Sequence, residues 1–184
     1  MTKAEYKDRQ YQVRSYDPAW TKQFKAEART IKDIFKKDAI TIEHIGSTAV
    51  PGMTGKPTLD ILVCVNDLSV ADRHADQMKA IGYEHLAVYV SPDSVLFRRM
   101  QRNVILSNVH IFPKDHPHVL EMIALRDYLR CHPEEANAYS GVKKELYEKY
   151  PNDYAAYRES KDDYMAKLKQ RTKAERSQQD LHTQ

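Results

Sequence analysis

The sequence predicts an α+β fold: a mixed β-sheet with helices packed mainly on one side and a helical C-terminal third. Three observations carry this reading. An amphipathic helical stripe precedes two β-branched runs that flank a Gly- and Pro-rich turn. Three further strand-like runs lie between residues 83 and 112. From His118 onward the apolar spacing is helical, and the regular strand–helix alternation of a parallel α/β sheet is missing.

In chain order, residues 18–37 place Trp20, Phe24, Ala28, Ile31 and Phe35 on one helical face, entered from Asp17-Pro18, where Asp caps and Pro suits the first helical position. Residues 41–45 and 58–65 read as strands, separated by a turn segment with Gly46, Pro51, Gly52, Gly55 and Pro57. A second helix is predicted over 70–81, closed by Gly82. Strands follow at 83–90, 95–102 and 104–112, then helices from 118, over 136–150 and over 154–168, broken at Pro133 and at Pro151-Asn152-Asp153. One domain is expected over 1–166, with 167–184 a polar, basic tail that frays because it has no apolar stripe.

With 41% apolar and 30% charged residues, 5 Gly and 8 Pro among 184 residues, the chain is neither collagen-like nor low-complexity nor disordered. Its net charge of +3 is carried by residues 167–184, five cations against two acids, which leaves 1–166 neutral. Such a balance excludes an extended nucleic-acid footprint, while a local phosphate pocket is compatible with it. No apolar run approaches the roughly 18 residues of a membrane span, and no basic-apolar leader opens the chain, so no membrane partner and a cytoplasmic location are expected. Cys64 and Cys131 read as small core residues, the C-terminal tyrosines as packing groups, and His116-Pro117-His118 as a loop rather than a zinc site.

The chemistry concentrates after the first strand. Gly46 permits close backbone approach, and the Ser47 and Thr48 hydroxyls beside backbone N–H groups suit an anion. Asp60 sits in a strand and shares its face with Leu62 and Cys64. A carboxylate there has two explanations, an ion pair with a neighbour such as Lys56 or a metal and polyphosphate site. Asn108, His110 and Phe112 share a face of the last strand, so His110 is a candidate partner for Asp60, with a hydrogen-bonded, half-buried structural histidine as the alternative, and a structural bond to the loop is the reading for His44. Lys56, Arg98, Arg126 and Arg130 form a candidate anion-facing group, with an internal salt-bridge network as the alternative.

Gly46-Ser47, followed after a gap by Asp60-Ile61, is similar to the signature of the nucleotidyltransferase superfamily related to DNA polymerase beta. Within it, the run Ile42-Glu43-His44-Ile45-Gly46-Ser47-Thr48-Ala49-Val50-Pro51-Gly52, then Lys56-Pro57 and Leu59-Asp60-Ile61-Leu62-Val63, resembles the GrpB family, also found fused to some dephospho-CoA kinases as a C-terminal domain. The match continues through Asn108-Val109-His110-Ile111 and Leu125-Arg126-Asp127-Tyr128-Leu129-Arg130-Cys131-His132-Pro133 and spans residues 15 to 160.

The resemblance implies a nucleotidyltransferase-like fold with a serine loop that holds triphosphate. It also implies two carboxylates two residues apart on a divalent metal, a third from a later strand, and nucleotidyl transfer by metal-clamped in-line attack. On the matching positions, Gly46, Ser47 and Thr48 hold phosphate, Asp60 binds Mg²⁺ or acts as a base, and His110 partners Asp60. Beside this, the anion-facing group read from the residues, Lys56, Arg98, Arg126 and Arg130, is expected on phosphate oxygens of a nucleotide or CoA-like small molecule, with the acceptor unspecified. Leu62 stands where the second carboxylate belongs, and an alkyl chain cannot ligate Mg²⁺. Two functions therefore stay open: Mg²⁺-dependent nucleotidyl transfer, and a non-catalytic binding or interaction module that keeps the fold without the metal site.

Overall fold

The computed structural model describes residues 10–87 and 91–182. Five strands, β1 (Thr41–Ile45), β2 (Leu59–Val65), β3 (Tyr83–Ala87), β4 (Val95–Gln101) and β5 (Val104–Pro113), form one sheet in the order β1-β2-β5-β4-β3. The β2–β5 pair is parallel and the other pairs are antiparallel, so the sheet is mixed as expected. Positions 88–90 of the expected third strand lie outside the described residues. The turn from β4 to β5 puts Arg102 and Asn103 at φ +49° and +62°, the left-handed pair of a tight hairpin, so Arg102 leaves the strand predicted for it.

Strand alternation sorts side chains onto two faces. Leu59, Ile61, Val63 and Val65 of β2 pack with Val109 and Ile111 of β5 beneath α1 (Ala19–Phe35), α2 (Ser69–Arg73) and α3 (Ala75–Ala80). Helix α1 begins where predicted, with the Asp17 carboxylate accepting from the Ala19 N–H at 2.8 Å, and it buries Trp20, Ile31 and Phe35. The helix expected over 70–81 is interrupted at His74, whose ring nitrogen lies 3.0 Å from an Asp38 oxygen. On the opposite face, Ile45, Leu62, Cys64 and Phe112 pack against Val119, Met122 and Ile123 of α4 (Pro117–Cys131), which covers only the β1-β2-β5 side. Cys64 is core as expected, whereas Cys131 is exposed because it falls on the outward side of α4.

The C-terminal third comprises α5 (Pro133–Lys149), α6 (Tyr154–Glu159) and α7 (Asp162–His182). Two findings depart from the sequence reading. The helix expected over 154–168 breaks at Ser160-Lys161, and the tail expected to fray from 167 is the body of α7. Leu168 is buried with Val50, Met53, Leu129 and Tyr139, and Thr172 is buried with its hydroxyl donating to Leu168 O. Two inward residues in an otherwise polar stretch are too few to show as a stripe, yet they dock α7 onto α4. Leu168→Ala is expected to lower unfolding free energy by about 2–5 kcal/mol in a urea titration. A change within about 0.5 kcal/mol, the range of a surface substitution, would show that α7 is not docked.

Candidate functional site

The site is built around Asp60, which the register sets beside Ile45 of β1 and Asn108 of β5. Asn108 donates through Nδ2 to Asp60 Oδ1 at 2.9 Å and accepts from Arg98 Nε through Oδ1, also at 2.9 Å. His110 Nε2 stands 3.7 Å from the same Asp60 oxygen, and its buried Nδ1 has no hydrogen-bond partner among the described residues. Burial pushes the Asp60 carboxyl up, but His110, Asn108 and the Lys56 charge outweigh it and hold the group below the usual carboxylate range. Asp60 keeps 31% of its side chain exposed, so the ionised carboxylate faces an opening rather than the core.

The Gly46–Ser47 turn comes down onto that carboxylate. Gly46 has φ +72°, and a Cβ there would lie 2.7 Å from Asp60 Oδ2, so both backbone and space require glycine. Gly55 likewise gives way to Ser47, whose Cβ would meet an added Cβ at 2.7 Å. Ser47 Oγ accepts from Lys143 Nζ of α5 at 3.0 Å. Thr48 turns inward: it is 1% exposed, and its Oγ1 donates to Thr58 O and lies 3.0 Å from His44 Nε2. Its expected phosphate role is therefore corrected, because the hydroxyl is spent on holding the turn to the strand behind it. His44 serves the same purpose on the sheet face away from Asp60, its ring stacked on Phe24 at 4.5 Å and its pKa lowered to about 4 by burial.

Beside Asp60 opens a cavity of 220 Å³, with Lys56, Arg98, Arg158 and Lys161 in its walls and Asp60 as its one carboxylate among the described residues. Lys56, Asp60 and Arg98 were expected there; Arg158 and Lys161 were not. Tyr154 bridges this cavity to a larger groove of 720 Å³ that shares Lys56, Thr58 and Ile105 with it and adds Tyr11, Arg14 and Tyr147. Behind Ser47, Lys143 is 2% exposed, and its other contacts are Thr54 O and the Tyr139 ring at 4.7 Å. Burial together with the Lys161 and Lys56 charges lowers its pKa to about 7. Burial and the Lys56 and Arg158 charges lower Lys161 to about 8, against the opposing pull of Tyr154 and Asp162. Lys143 had a signal in the sequence, because it falls between Tyr139, Val142 and Leu146 on the inward stripe of its helix.

Two of the expected cations do not join this group. Arg126 is taken by Glu43 at 2.6 Å, Asp127 at 2.8 Å and His44 O at 3.1 Å. Arg130 donates to Ala49 O at 3.0 Å and lies 3.6 Å from Asp127. Both brace the turn from the α4 side, and the internal salt-bridge alternative is the one realised for them.

The residues present do not fit the Mg²⁺ site that the fold implies. Leu62 is fully buried in the apolar cluster beneath α4. Asn108, opposite Asp60, turns its amide N–H₂ toward that carboxylate and its oxygen toward Arg98. Mg²⁺ requires near-octahedral oxygen ligation, whereas the cavity offers one carboxylate among four cationic side chains. Among the described residues no three His, Cys, Asp or Glu side chains cluster closely enough to hold a metal. No helix among them is long and apolar enough to cross a membrane.

Comparison with known proteins places this geometry in context. The family model described as GrpB protein matches residues 10–171. The chain is similar to the UPF0157 protein SCO7215 of Streptomyces coelicolor, at 35% identity over 88% of this chain and 83% of that protein. It is similar to the UPF0157 protein YqkA of Bacillus subtilis at 30% identity, covering 91% of this chain and 49% of YqkA, so it spans about half of that relative's length. Part of a dephospho-CoA kinase of Mycolicibacterium paratuberculosis is 26% identical over 77% of this chain and 40% of that protein. Among solved structures, the conserved protein GrpB from Enterococcus faecalis has a TM-score of 0.83 at 33% identity, over 88% of this chain and 96% of that one. Cid1, solved in complex with its short product ApU, has a TM-score of 0.50 at 13% identity, over 70% of this chain and 41% of that one. The Cid1 likeness shows the fold alone, a nucleotidyltransferase-like α+β fold.

The buried lysine has a pH signature. Lys143 titrates at about 7 when folded and at 10.5 when unfolded, so across that window the unfolded chain binds the extra proton. Stability is therefore expected to rise with pH through the window, with the penalty fully present below it; Lys161 acts in the same sense above about 8. The melting temperature of the wild type should climb between about pH 6.5 and 9, with a shallower slope in Lys143→Met. Equal slopes would contradict the assignment.

Proposed function

The chain belongs to the GrpB family, and from that premise we propose that it binds the phosphate groups of a nucleotide or CoA-like small molecule in the cavity beside Asp60 and does not transfer a nucleotidyl group. The supporting observation is the charge around that cavity: Lys56, Arg98, Arg158 and Lys161 against the single carboxylate of Asp60. A phosphoanhydride entering such a hollow offers several negative oxygens to the cations in its walls at once. The bend at Gly46 lies against Asp60 at the edge of this cavity, where an added side chain would strike the carboxylate.

The adjoining groove favours an organic ligand over a bare ion. Its walls combine tyrosine rings with Pro57 and Ile105, and hydrogen-bonding groups come from Gln12 and Asn152. Nucleotides and CoA share a diphosphate joined to a nucleoside, which such a paired cavity and groove would accept. The relation to part of a dephospho-CoA kinase and the fold shared with Cid1, which is solved with a dinucleotide product, are both compatible with that class. Transfer chemistry finds no support in the side chains, since metal-clamped attack needs carboxylates that Leu62 and Asn108 do not provide.

Calorimetric titration with ATP, CoA and inorganic pyrophosphate tests this reading. Binding is expected, and the double variant Arg158→Met with Lys161→Met should weaken it by roughly a hundredfold, on the order of a tenfold loss per charge-assisted contact. Nucleoside triphosphates incubated with Mg²⁺ or Mn²⁺ should release no pyrophosphate. Release that disappears in Asp60→Ala would establish transfer instead.

A further inference from the structure

We infer that this site takes its phosphate ligand as the free polyanion, uncomplexed by a divalent cation, with the chain's own lysines and arginines supplying the counter-charge. The inference rests on the binding reading above and specifies the chemical form of its ligand.

In solution a diphosphate or triphosphate is usually met as its Mg²⁺ complex, and a site for that complex needs oxygen ligands on the protein side. Here the position two residues after Asp60 is Leu62, buried among Cys64, Phe112 and Val119. On the parallel neighbour strand, the amide of Asn108 ties Asp60 to Arg98 through two hydrogen bonds of 2.9 Å. Asp60 Oδ1 accepts the Asn108 amide and faces His110 at 3.7 Å, while its Oδ2 lies against the Gly46 backbone. Oδ1 is thus engaged from the protein side, and four of the wall residues are cationic.

A dication entering that cavity would add to the charge of Lys56, Arg98, Arg158 and Lys161, with Lys143 close behind Ser47. The polyanion without its metal brings its whole charge to those groups, whereas the Mg²⁺ complex has already lost much of its own. Asp60 then has a role opposite to that of a metal ligand. It lowers the positive potential of the cavity and orders Asn108 and Arg98, at some cost to anion affinity.

The test uses pyrophosphate as probe and calorimetric affinity as readout, first in a chelator and then with Mg²⁺ in excess over the probe. The free probe should bind the wild type about tenfold more tightly than the Mg²⁺ complex. Asp60→Asn keeps the side chain's shape and removes its charge, so it should bind the free probe more tightly than the wild type, again by about tenfold. Tighter binding with Mg²⁺, or loss of binding in a folded Asp60→Asn, would overturn the inference while leaving the binding reading intact. The wild-type comparison decides the matter even if the variant does not fold. Absence of binding under both conditions would overturn the binding reading and this inference together.

Discussion

The contact from Lys143 to Ser47 joins two parts of the molecule 96 residues apart, and the site depends on it. One end lies in the helical third and the other in the turn that follows β1. Lys143 Nζ meets neutral oxygens of Ser47 and Thr54 and the face of Tyr139, with no carboxylate beside it among the described residues. Burying an ammonium on such terms is costly, and the group relieves the cost by giving up its proton more readily. The same contact brings α5 to the turn, and α6 with the break after it presents Arg158 and Lys161 to the cavity at the end of the sheet.

Around this joint the sheet divides the work between its faces. His44, Ser107 and Leu59, Ile61, Val63 and Val65 of β2 lie on the face beneath α1, where His44 and Thr48 close the turn from behind. Asp60, Asn108, His110 and Arg98 lie on the other, within reach of the helical third. Along β2 the second face passes from an open, polar position at Asp60 to a sealed, apolar one at Leu62. A carboxylate at Leu62 would enter the apolar cluster of Cys64, Phe112 and Val119, where burying a charge is costly. The missing second carboxylate is thus part of how α4 packs, rather than an isolated change at the site.

Legibility followed the range of the physics involved. Strand alternation is local, so the shared face of Asp60 and Leu62 and that of Asn108 and His110 could be read directly, and the two strands then pair in parallel. Gly46 could be read as a close-approach position, though its neighbour, Asp60, only appears in the register. The arginines were harder, because a guanidinium on an inward stripe needs an acceptor and the sequence leaves open which one. For Arg126 it is Glu43, from a strand 83 residues earlier. Lys161 had no visible signal, since it owes its place to a helix break with no proline or glycine to announce it.

What the residues settled unaided was a mixed sheet with a helical C-terminal third and the strand face that Asp60 shares with Leu62, which follow from periodicity and residue type acting over a few positions. That the Gly-Ser turn and Asp60 belong together, and that Leu62 stands where a second carboxylate would, came from the resemblance to a known family. Tertiary structure alone decided which cations surround the carboxylate, that Thr48, Arg126 and Arg130 serve the scaffold, and that a lysine lies buried behind the serine. Charge acts through space, and the groups that meet at this cavity come from the segment before β2, from β2, β4 and β5, from α6 and from the break that follows it. Their summed field exists only once those elements are packed together.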